Sequence, residues 1–212
     1  KLQLIHYHVN VSSIAGHVFD VSLRIENPDK NGQFLTLPAW IPGSYMIRDF
    51  AKNIIKISAQ DDSGKDINIQ KLDKQTWQVQ AVCTMLTIQY QVYAFDLSVR
   101  GAYINDEMAF LNGTNMFLAV VGQTDQPCGL TLQKPLQPEL SPWKVATTMP
   151  TNMQASHAFG EYWANDYEEL IDHPVLMGEF DILPFSAVGV DFELILAGGH
   201  QADVKRITKD IT

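Results

Sequence analysis

Strict alternation of apolar and polar residues is the feature that most limits what this chain can fold into. The stretches 5–11, 19–25 and 86–93 each alternate in this way. A period of two residues places all apolar side chains on one face of a β-strand. The connection through Ser12, Ser13 and Gly16 is short enough for a hairpin, so the first two strands are predicted to pair antiparallel.

Shorter strand patterns continue along the chain and fit an all-β protein. We predict them at 54–59, 67–70, 76–82, 110–111, 116–121, 130–133, 143–147 and 188–196. The strands at 130–133 and 143–147 lie between prolines, which favours short edge strands. One helical turn is predicted at 167–171, and apolar residues spaced three and four apart behind Asp203 predict a C-terminal helix.

The expected fold is therefore an antiparallel β-sandwich or saddle-like domain with a short C-terminal helix. We place the β domain at residues 1–200 and the start of a linker or helix at 201–212. With 212 residues and 46% hydrophobic content, the chain can bury a sizeable core as one large β domain or as two smaller units, and one domain is preferred.

Composition excludes several classes of partner and site. A net charge of −9 argues against nucleic acid and against anionic membrane surfaces, because both are bound through clusters of Lys and Arg. No run approaches the roughly 18 apolar residues of a spanning helix. Cys83 and Cys128 are too few and too far apart for a disulfide scaffold or a thiolate zinc cluster, so we interpret them as buried free thiols.

The run at 37–53 combines prolines, a glycine and three aromatic residues with an Arg-Asp pair. Pro38, Pro42 and Gly43 predict a stiff loop of specific shape, in which Trp40, Tyr45 and Phe50 need partners to bury against. Two interpretations stay open: a packed connection between sheets, or a loop that faces a ligand or a neighbouring domain. We expect Arg48 and Asp49 to pair and brace the loop.

Motifs for self-contained catalysis are missing from the sequence. His6 and His8 would lie on one strand face and could chelate a metal only with a third ligand, so exposed strand histidines are the preferred interpretation. The sequence contains neither His-Glu-x-x-His nor Gly-x-Ser-x-Gly. We predict no catalytic residue and no metal or other cofactor site in this chain.

Two polar segments are candidates for binding. Asn112-Gly113-Thr114 is formally a glycosylation sequon, and its amide and hydroxyl groups could also contact a ligand, although a plain turn explains it too. Between Val145 and Val204 the chain has ten carboxylates and no Lys or Arg. That segment is either a solvated acidic face or a surface that attracts a cationic group such as a peptide α-amine.

Several blocks together resemble one known family. They are the 37–53 run, Arg100-Gly-Ala-Tyr, Phe110-Leu-Asn-Gly-Thr, Met116-Phe-Leu, Trp143-Lys-Val-Ala-Thr and Tyr167-Glu-Glu-Leu-Ile-Asp-His-Pro-Val-Leu-Met-Gly. In this order they are similar to the glycyl aminopeptidases, which are gluzincin metallopeptidases with an N-terminal β domain, a thermolysin-like catalytic domain and a C-terminal PDZ domain. The resemblance covers essentially the whole chain.

The resemblance implies a non-catalytic N-terminal domain of a zinc aminopeptidase whose zinc motif lies downstream. Its partners would be its own catalytic domain, packed against the Pro-rich loops and the C-terminal helix, and a peptide substrate. By analogy, Asn112, Gly113 and Thr114 are the first candidates for contact with the substrate's amino end, followed by Tyr45, Arg48 and Asp49. The alternative function is a free-standing β-sandwich module that binds carbohydrate or protein.

Overall fold

The computed structural model describes residues 5–41, 44–80, 82–151, 155–199 and 201–211. Within these ranges the chain forms β1 (Ile5–Ser13), β2 (Val18–Glu26), β3 (Gln33–Thr36), β4 (Ile54–Gln60), β5 (Asp66–Ile67), β6 (Ile69–Lys71), β7 (Thr76–Val79), β8 (Met85–Tyr93), β9 (Ala102–Ile104), β10 (Met108–Leu111), β11 (Ala119–Val120), β12 (Cys128–Leu132), β13 (Lys144–Ala146), β14 (Gly160–Ala164), β15 (Val175–Gly178), β16 (Phe180–Ala187) and β17 (Val190–Ala197). The helices are α1 (Gly113–Met116), α2 (Tyr167–Asp172) and α3 (Val204–Ile211), with 3-10 helices at Phe50–Asn53 and Pro138–Leu140.

The largest sheet has seven strands in the order β14-β12-β1-β2-β8-β4-β5 among the described residues. As predicted, β1 and β2 pair antiparallel, and β8 pairs with β2 along its whole length. Their alternating apolar side chains are buried on one face, which confirms the all-β prediction. The prediction that the 130–133 strand is an edge strand is wrong, because β12 lies between β1, to which it runs parallel, and β14.

Two four-stranded sheets complete the body, in the orders β13-β15-β10-β9 and β11-β3-β7-β6 within the described ranges. Buried residues from all three sheets form one continuous hydrophobic core. The 67–70 strand is split at position 68, because β5 pairs with β4 in the largest sheet and β6 pairs with β7 in another. The predicted 116–121 strand is largely wrong: only β11 is a strand there, and residues 113–116 form α1.

The last two strands form a separate hairpin, β16 with β17, over eight paired positions. Lys144 Nζ donates to Phe180 O at 2.8 Å, and His157 Nε2 lies 3.0 Å from a Glu193 carboxylate oxygen. These two contacts link the hairpin to the β13 side of the body. As predicted, Asp203 stands at the start of α3, where its carboxylate accepts from the Arg206 N–H at 3.1 Å.

Some sequence predictions fall on positions outside the described ranges, namely Pro42, Gly43, His200 and Thr212. Among the described residues, no helix is long and apolar enough to cross a membrane. Cys128 is buried and Cys83 is half-buried, and both are free thiols.

Candidate functional site

The loop at 37–53, called here the Trp40 loop, is closed by its own hydrogen bonds. Trp40 Nε1 donates to Ser44 O at 2.6 Å, and Arg48 N donates to Ala39 O at 2.7 Å. A 3-10 helix ends the loop and contacts α1. The prediction of a specifically shaped loop is therefore confirmed for its described part.

The expectation that three aromatic side chains of the Trp40 loop would be buried is correct only for Phe50. Trp40 is 54% exposed and Tyr45 is fully exposed. Leu37 and Phe50 occupy the core at the two ends of the loop, and Ile41 packs against the core between them, whereas Trp40 and residues 45–47 are exposed. The indole N–H of Trp40 is satisfied inside the loop without burial of the ring.

Arg48 and Asp49 do not form the expected ion pair among the described residues. Asp49 is exposed at the start of the 3-10 helix, and its side chain makes no capping hydrogen bond there. Arg48 is half-buried, and its Nε is buried without a hydrogen-bond partner within the described part of the chain. Arg48 is thus partly enclosed by the protein while Asp49 faces solvent. The loop is held by the hydrogen bonds to Ser44 O and Ala39 O, and not by an Arg48–Asp49 pair.

The Asn112-Gly113-Thr114 segment begins α1 and is not an open turn. The Asn112 carboxamide oxygen accepts from Thr114 N at 3.1 Å, which caps the helix. Its amide nitrogen donates to Val99 O at 2.9 Å. Gly113 and Thr114 are buried and Asn112 is partly exposed. Both ends of the Asn112 carboxamide are therefore already hydrogen-bonded within the domain.

Three buried tyrosines hold the backbone that follows α1. Tyr90, Tyr167 and Tyr7 donate to the carbonyls of residues 116, 117 and 118, respectively, at 2.7, 2.7 and 2.6 Å. Burial raises the pKa of all three hydroxyls, because the charged phenolate is disfavoured away from water. The tyrosines come from β1, β8 and α2, so three separate elements fix the orientation of α1.

Sequence reasoning missed this tyrosine set, although a signal was present. Tyr7 and Tyr90 occupy inward positions of alternating strands, where a hydroxyl must find a partner in the core. Which carbonyl each one reaches depends on contacts 26 to 111 residues apart in sequence. Such partners cannot be read from local patterns.

Several carboxylates of the acidic stretch, the segment between Val145 and Val204, have hydrogen-bond or ion-pair partners within the domain. Asp166 accepts from Glu169 N at 2.8 Å at the start of α2, and Glu169 accepts from Asn165 N at 2.5 Å. Glu193 pairs with His157. These contacts support capping and bracing functions for part of the acidic stretch.

The His6-x-His8 pair does not build a metal centre. His6 Nε2 lies 2.8 Å from Thr131 Oγ1, and burial lowers the pKa of its half-buried ring. A Cβ at Gly129 would stand 2.5 Å from the His6 ring, so the ring lies across that strand. No group of three or more His, Cys, Asp or Glu residues could hold a metal ion in the described ranges. The residues described therefore do not fit a zinc site.

A groove of about 900 Å³ separates the β16–β17 hairpin from the β13 sheet. Apolar side chains from both sides line it, including Phe110, Leu176, Phe185 and Phe192. Phe185 and Phe192 stack with ring centroids 5.2 Å apart. His157 and Glu193 also line this groove. The sequence indicated the strand at 188–196 but not the groove.

The fold is shared with zinc metallopeptidases of known structure. A variant of the M1 zinc metallopeptidase from Deinococcus radiodurans superposes with a TM-score of 0.53 at 10% identity, over 96% of this chain and 49% of that one. A variant of the same enzyme bound to a Tyr-Ser-Ala substrate gives a TM-score of 0.51 at 11% identity over the same shares. At these identities the likeness concerns the fold alone.

The chain belongs to the Peptidase M61 N-terminal domain family, whose model matches residues 6–179. It is also 45% identical to an aminopeptidase N family protein from Idiomarina loihiensis, with a TM-score of 0.92 over 98% of this chain. It spans 35% of the Idiomarina protein. No curated protein matches the chain. The predicted relation to a metallopeptidase N-terminal domain is thereby confirmed.

Proposed function

We propose that this chain is the non-catalytic N-terminal domain of a zinc-dependent aminopeptidase. The observation that carries the proposal is the family match over residues 6–179, together with the 45% identity to a longer aminopeptidase N family protein. Zinc and its ligands would belong to a catalytic domain elsewhere in the parent protein, because the described residues here offer no metal-binding cluster. No catalytic step is assigned to this chain.

We further propose that the surface around α1 and the Trp40 loop flanks the active-site cleft and positions the amino end of a peptide. The exposure of Tyr45 and Asp49 supports these two as contact residues, since an exposed carboxylate can pair with a charged α-amine. Asn112 is partly exposed and remains a candidate. The burial of Gly113 and Thr114 supports a bracing role for them.

The test compares Asp49→Asn and Asn112→Ala in the parent enzyme, with peptides that carry a free or an acetylated α-amine. Loss of a hydrogen bond to a charged group costs about 1.5–3 kcal/mol, which is about a tenfold to a hundredfold fall in kcat/KM. We expect that fall for Asp49→Asn with free-amine peptides only, because the Asn112 carboxamide oxygen already accepts from Thr114 N and Thr114 Oγ1. Unchanged kcat/KM in both variants would refute the positioning role, and an inactive parent with bound zinc would refute the peptidase assignment.

The division at residue 200 stays a prediction, and one observation favours an earlier boundary. The family match ends at residue 179, immediately before the β16–β17 hairpin. The hairpin strands pair only with each other in the described residues. A 1–179 chain that unfolds with the same cooperativity as the 212-residue chain would support a boundary at 179.

The alternative function, a free-standing binding module, has one supporting observation. Polar side chains on the outer face of β1, β2, β8 and β4 line a trough of about 460 Å³, among them His8, Asn10, Asp20 and Gln91. Such a surface offers hydrogen-bonding groups to a polar ligand such as a saccharide. A glycan-binding screen with the 212-residue chain tests it, and the absence of binding would remove this alternative.

A further inference from the structure

Two loops beside α1 present large apolar side chains to solvent. The first is the Trp40 loop, and the second connects β8 to β9. We define their exposed members as the apolar face: Trp40, Tyr45, Met46, Ile47, Phe95, Leu97 and Val99. Ile47 is 85% exposed and Val99 is 76% exposed. Single exposed apolar residues are ordinary, but seven in two short loops require an explanation.

Both loops are attached to α1. On one side, the 3-10 helix that ends the Trp40 loop contacts α1. On the other side, Asn112 donates through its side chain to Val99 O at 2.9 Å and through its backbone N–H to Gly101 O at 3.1 Å. Asn115 donates to Arg100 O. The two sets of apolar side chains are thus held at the same end of the domain.

The second loop also has a defined internal structure. Asp96 N donates to Ala102 O at 3.0 Å, and Gly101 N donates to Ser98 O at 3.0 Å. Phe95 lies 5.5 Å from Tyr103 in a stacked arrangement. A Cβ at Gly101 would stand 2.4 Å from Asp96 O, so a larger residue would clash at this position of the turn. The exposure of its apolar side chains therefore follows from a specific backbone course.

We propose that the apolar face is the surface on which the following domain of the parent protein docks. This inference rests on the proposed function, since it requires a parent with a further domain. The 45% identical relative matches 98% of this chain, which makes up only 35% of its length, so an equivalent parent would contain ample chain to cover the face. The face includes Tyr45 and adjoins Asp49 and Asn112, and these three residues are the ones proposed to border the cleft.

This surface differs from the one expected from the sequence, which was formed by the Pro-rich loops and the C-terminal helix. Leu136 in the Pro-rich segment is 85% exposed, but its neighbours Pro135 and Leu140 are buried. It is therefore an isolated exposed residue, which is ordinary for a protein surface. Leu136 provides a matched control for Ile47, because both are branched aliphatic side chains of equal exposure.

The first experiment compares hydrogen exchange in the 212-residue chain with that in the natural full-length parent. We expect amides of residues 44–48 and 95–101 to exchange more slowly in the parent, and amides around Leu136 to exchange equally in both. Equal exchange of both loops in the two proteins would overturn the proposal. So would a 212-residue chain that dimerises in solution and becomes monomeric on Ile47→Asp, because a second copy would then be the occupant.

The second experiment uses variants of the parent, namely Ile47→Asp with Leu97→Asp, and Leu136→Asp as the control. A charge placed in the interface should weaken the docking of the two domains and so expose the junction between them. We expect faster limited proteolysis at this junction in the double variant, and the wild-type rate in Leu136→Asp. Equal effects of the two sets of variants would overturn the proposal. Proteolysis does not depend on catalysis, so an inactive parent would refute the proposed function without deciding the docking face.

Discussion

α1 and the Trp40 loop are neighbours in space but are built in opposite ways. The residues of α1 are buried, and its capping residue Asn112 is hydrogen-bonded at both ends of its carboxamide. The Trp40 loop satisfies its backbone in part through its own hydrogen bonds and leaves Tyr45 and Ile47 in solvent. The difference indicates that α1 supports the surface, whereas the loop supplies side chains that can reach another molecule.

The same contrast changes how the candidate contact residues are ranked. Reasoning from the sequence placed Asn112, Gly113 and Thr114 first, because an open polar turn could present its groups to a ligand. In the structure, the hydroxyl of Thr114 donates back to Asn112, and both Gly113 and Thr114 are buried. Substitutions in α1 should therefore act mainly on stability, whereas substitutions in the Trp40 loop should act mainly on binding.

The largest effect on stability is expected for Gly113→Ala. A Cβ there would stand 2.6 Å from Ile171 Cα, which is backbone of α2 and cannot rotate away. We expect a loss of about 3 kcal/mol in the free energy of unfolding, measured by urea denaturation. Gly199→Ala is the control, because no atom lies within 4 Å of its Cβ position. Equal stability of the two variants would mean that α1 is not tightly packed.

Tyr90→Phe should come next. It leaves Met116 O without its 2.7 Å donor and removes the acceptor of Leu118 N. We expect a loss of about 1–3 kcal/mol by the same denaturation measurement, because buried polar groups lose their partners. The matched control is Tyr45→Phe, which removes a hydroxyl from a fully exposed tyrosine and should change stability by less than about 0.5 kcal/mol.

Alkaline pH should weaken the α1 region through the same tyrosines. Burial raises the pKa of Tyr90, so the unfolded chain releases this proton near pH 10 while the folded chain keeps it. The stabilisation is complete below about pH 10 and is lost as the pH rises, by up to about 1.4 kcal/mol per pH unit for each such tyrosine. Tyr90→Phe should show a shallower decline of stability between pH 10 and 11 than the wild type.

Cys128 is a second group whose ionisation should lower stability at alkaline pH, and its effect should begin at a lower pH than that of Tyr90. Burial raises the pKa of its thiol to about 12, so its contribution declines from about pH 8.5 upward. Cys128→Ala should therefore flatten the dependence of stability on pH between about 8.5 and 10, where tyrosines still hold their protons. An unchanged slope would show that the thiol is not protonated preferentially in the folded chain.

A smaller effect is expected for Asn112→Ala in the 212-residue chain. Loss of a helix cap costs about 1 kcal/mol, and here the contact with Val99 O is lost too. The fall should be measured by thermal denaturation. Asn112→Asp is informative beside it, because it keeps the capping oxygen and removes the amide donor; a stability equal to that of Asn112→Ala would assign the effect to the donor.

The smallest effect on stability is expected for Tyr45→Ala. Its side chain is fully exposed, so the free energy of unfolding of the 212-residue chain should change by less than about 0.5 kcal/mol. In the parent enzyme the same change should lower kcat/KM if the Trp40 loop borders the cleft. A stability loss comparable to that of Tyr90→Phe would remove the contrast between the two regions.

The sequence was sufficient to predict those elements whose signals come from residues close together in the chain. The period of two residues in β1, β2 and β8 set their inward faces, and antiparallel pairing of β1 with β2 followed from a short connection. The turn at 167–171 was recovered, and so was the helix after Asp203, because apolar spacing behind an acidic first-turn residue is a local signal. The family was recognisable because several blocks occur in a fixed order.

Other features depend on contacts between distant residues and were decided by the tertiary structure. The parallel pairing of β12 with β1 joins residues more than 120 positions apart, and proline punctuation in sequence gave no sign of it. The strand predicted at 116–121 is reduced to β11, and the carbonyls of residues 116–118 accept hydrogen bonds from three buried tyrosines instead of from a neighbouring strand. Trp40 is exposed while its neighbour Ile41 packs against the core, and its indole N–H is satisfied by Ser44 O within the loop.

The alternating pattern determined by itself that this chain is a β protein, since a period of two residues can bury one face only in a strand. The order of several sequence motifs was sufficient for the resemblance to a metallopeptidase domain. Which polar groups remain available to a ligand was decided only in three dimensions. Asn112 donates to Val99 O and accepts from Thr114, so both groups are satisfied within the domain, while large apolar side chains in the loops beside them stay exposed to solvent.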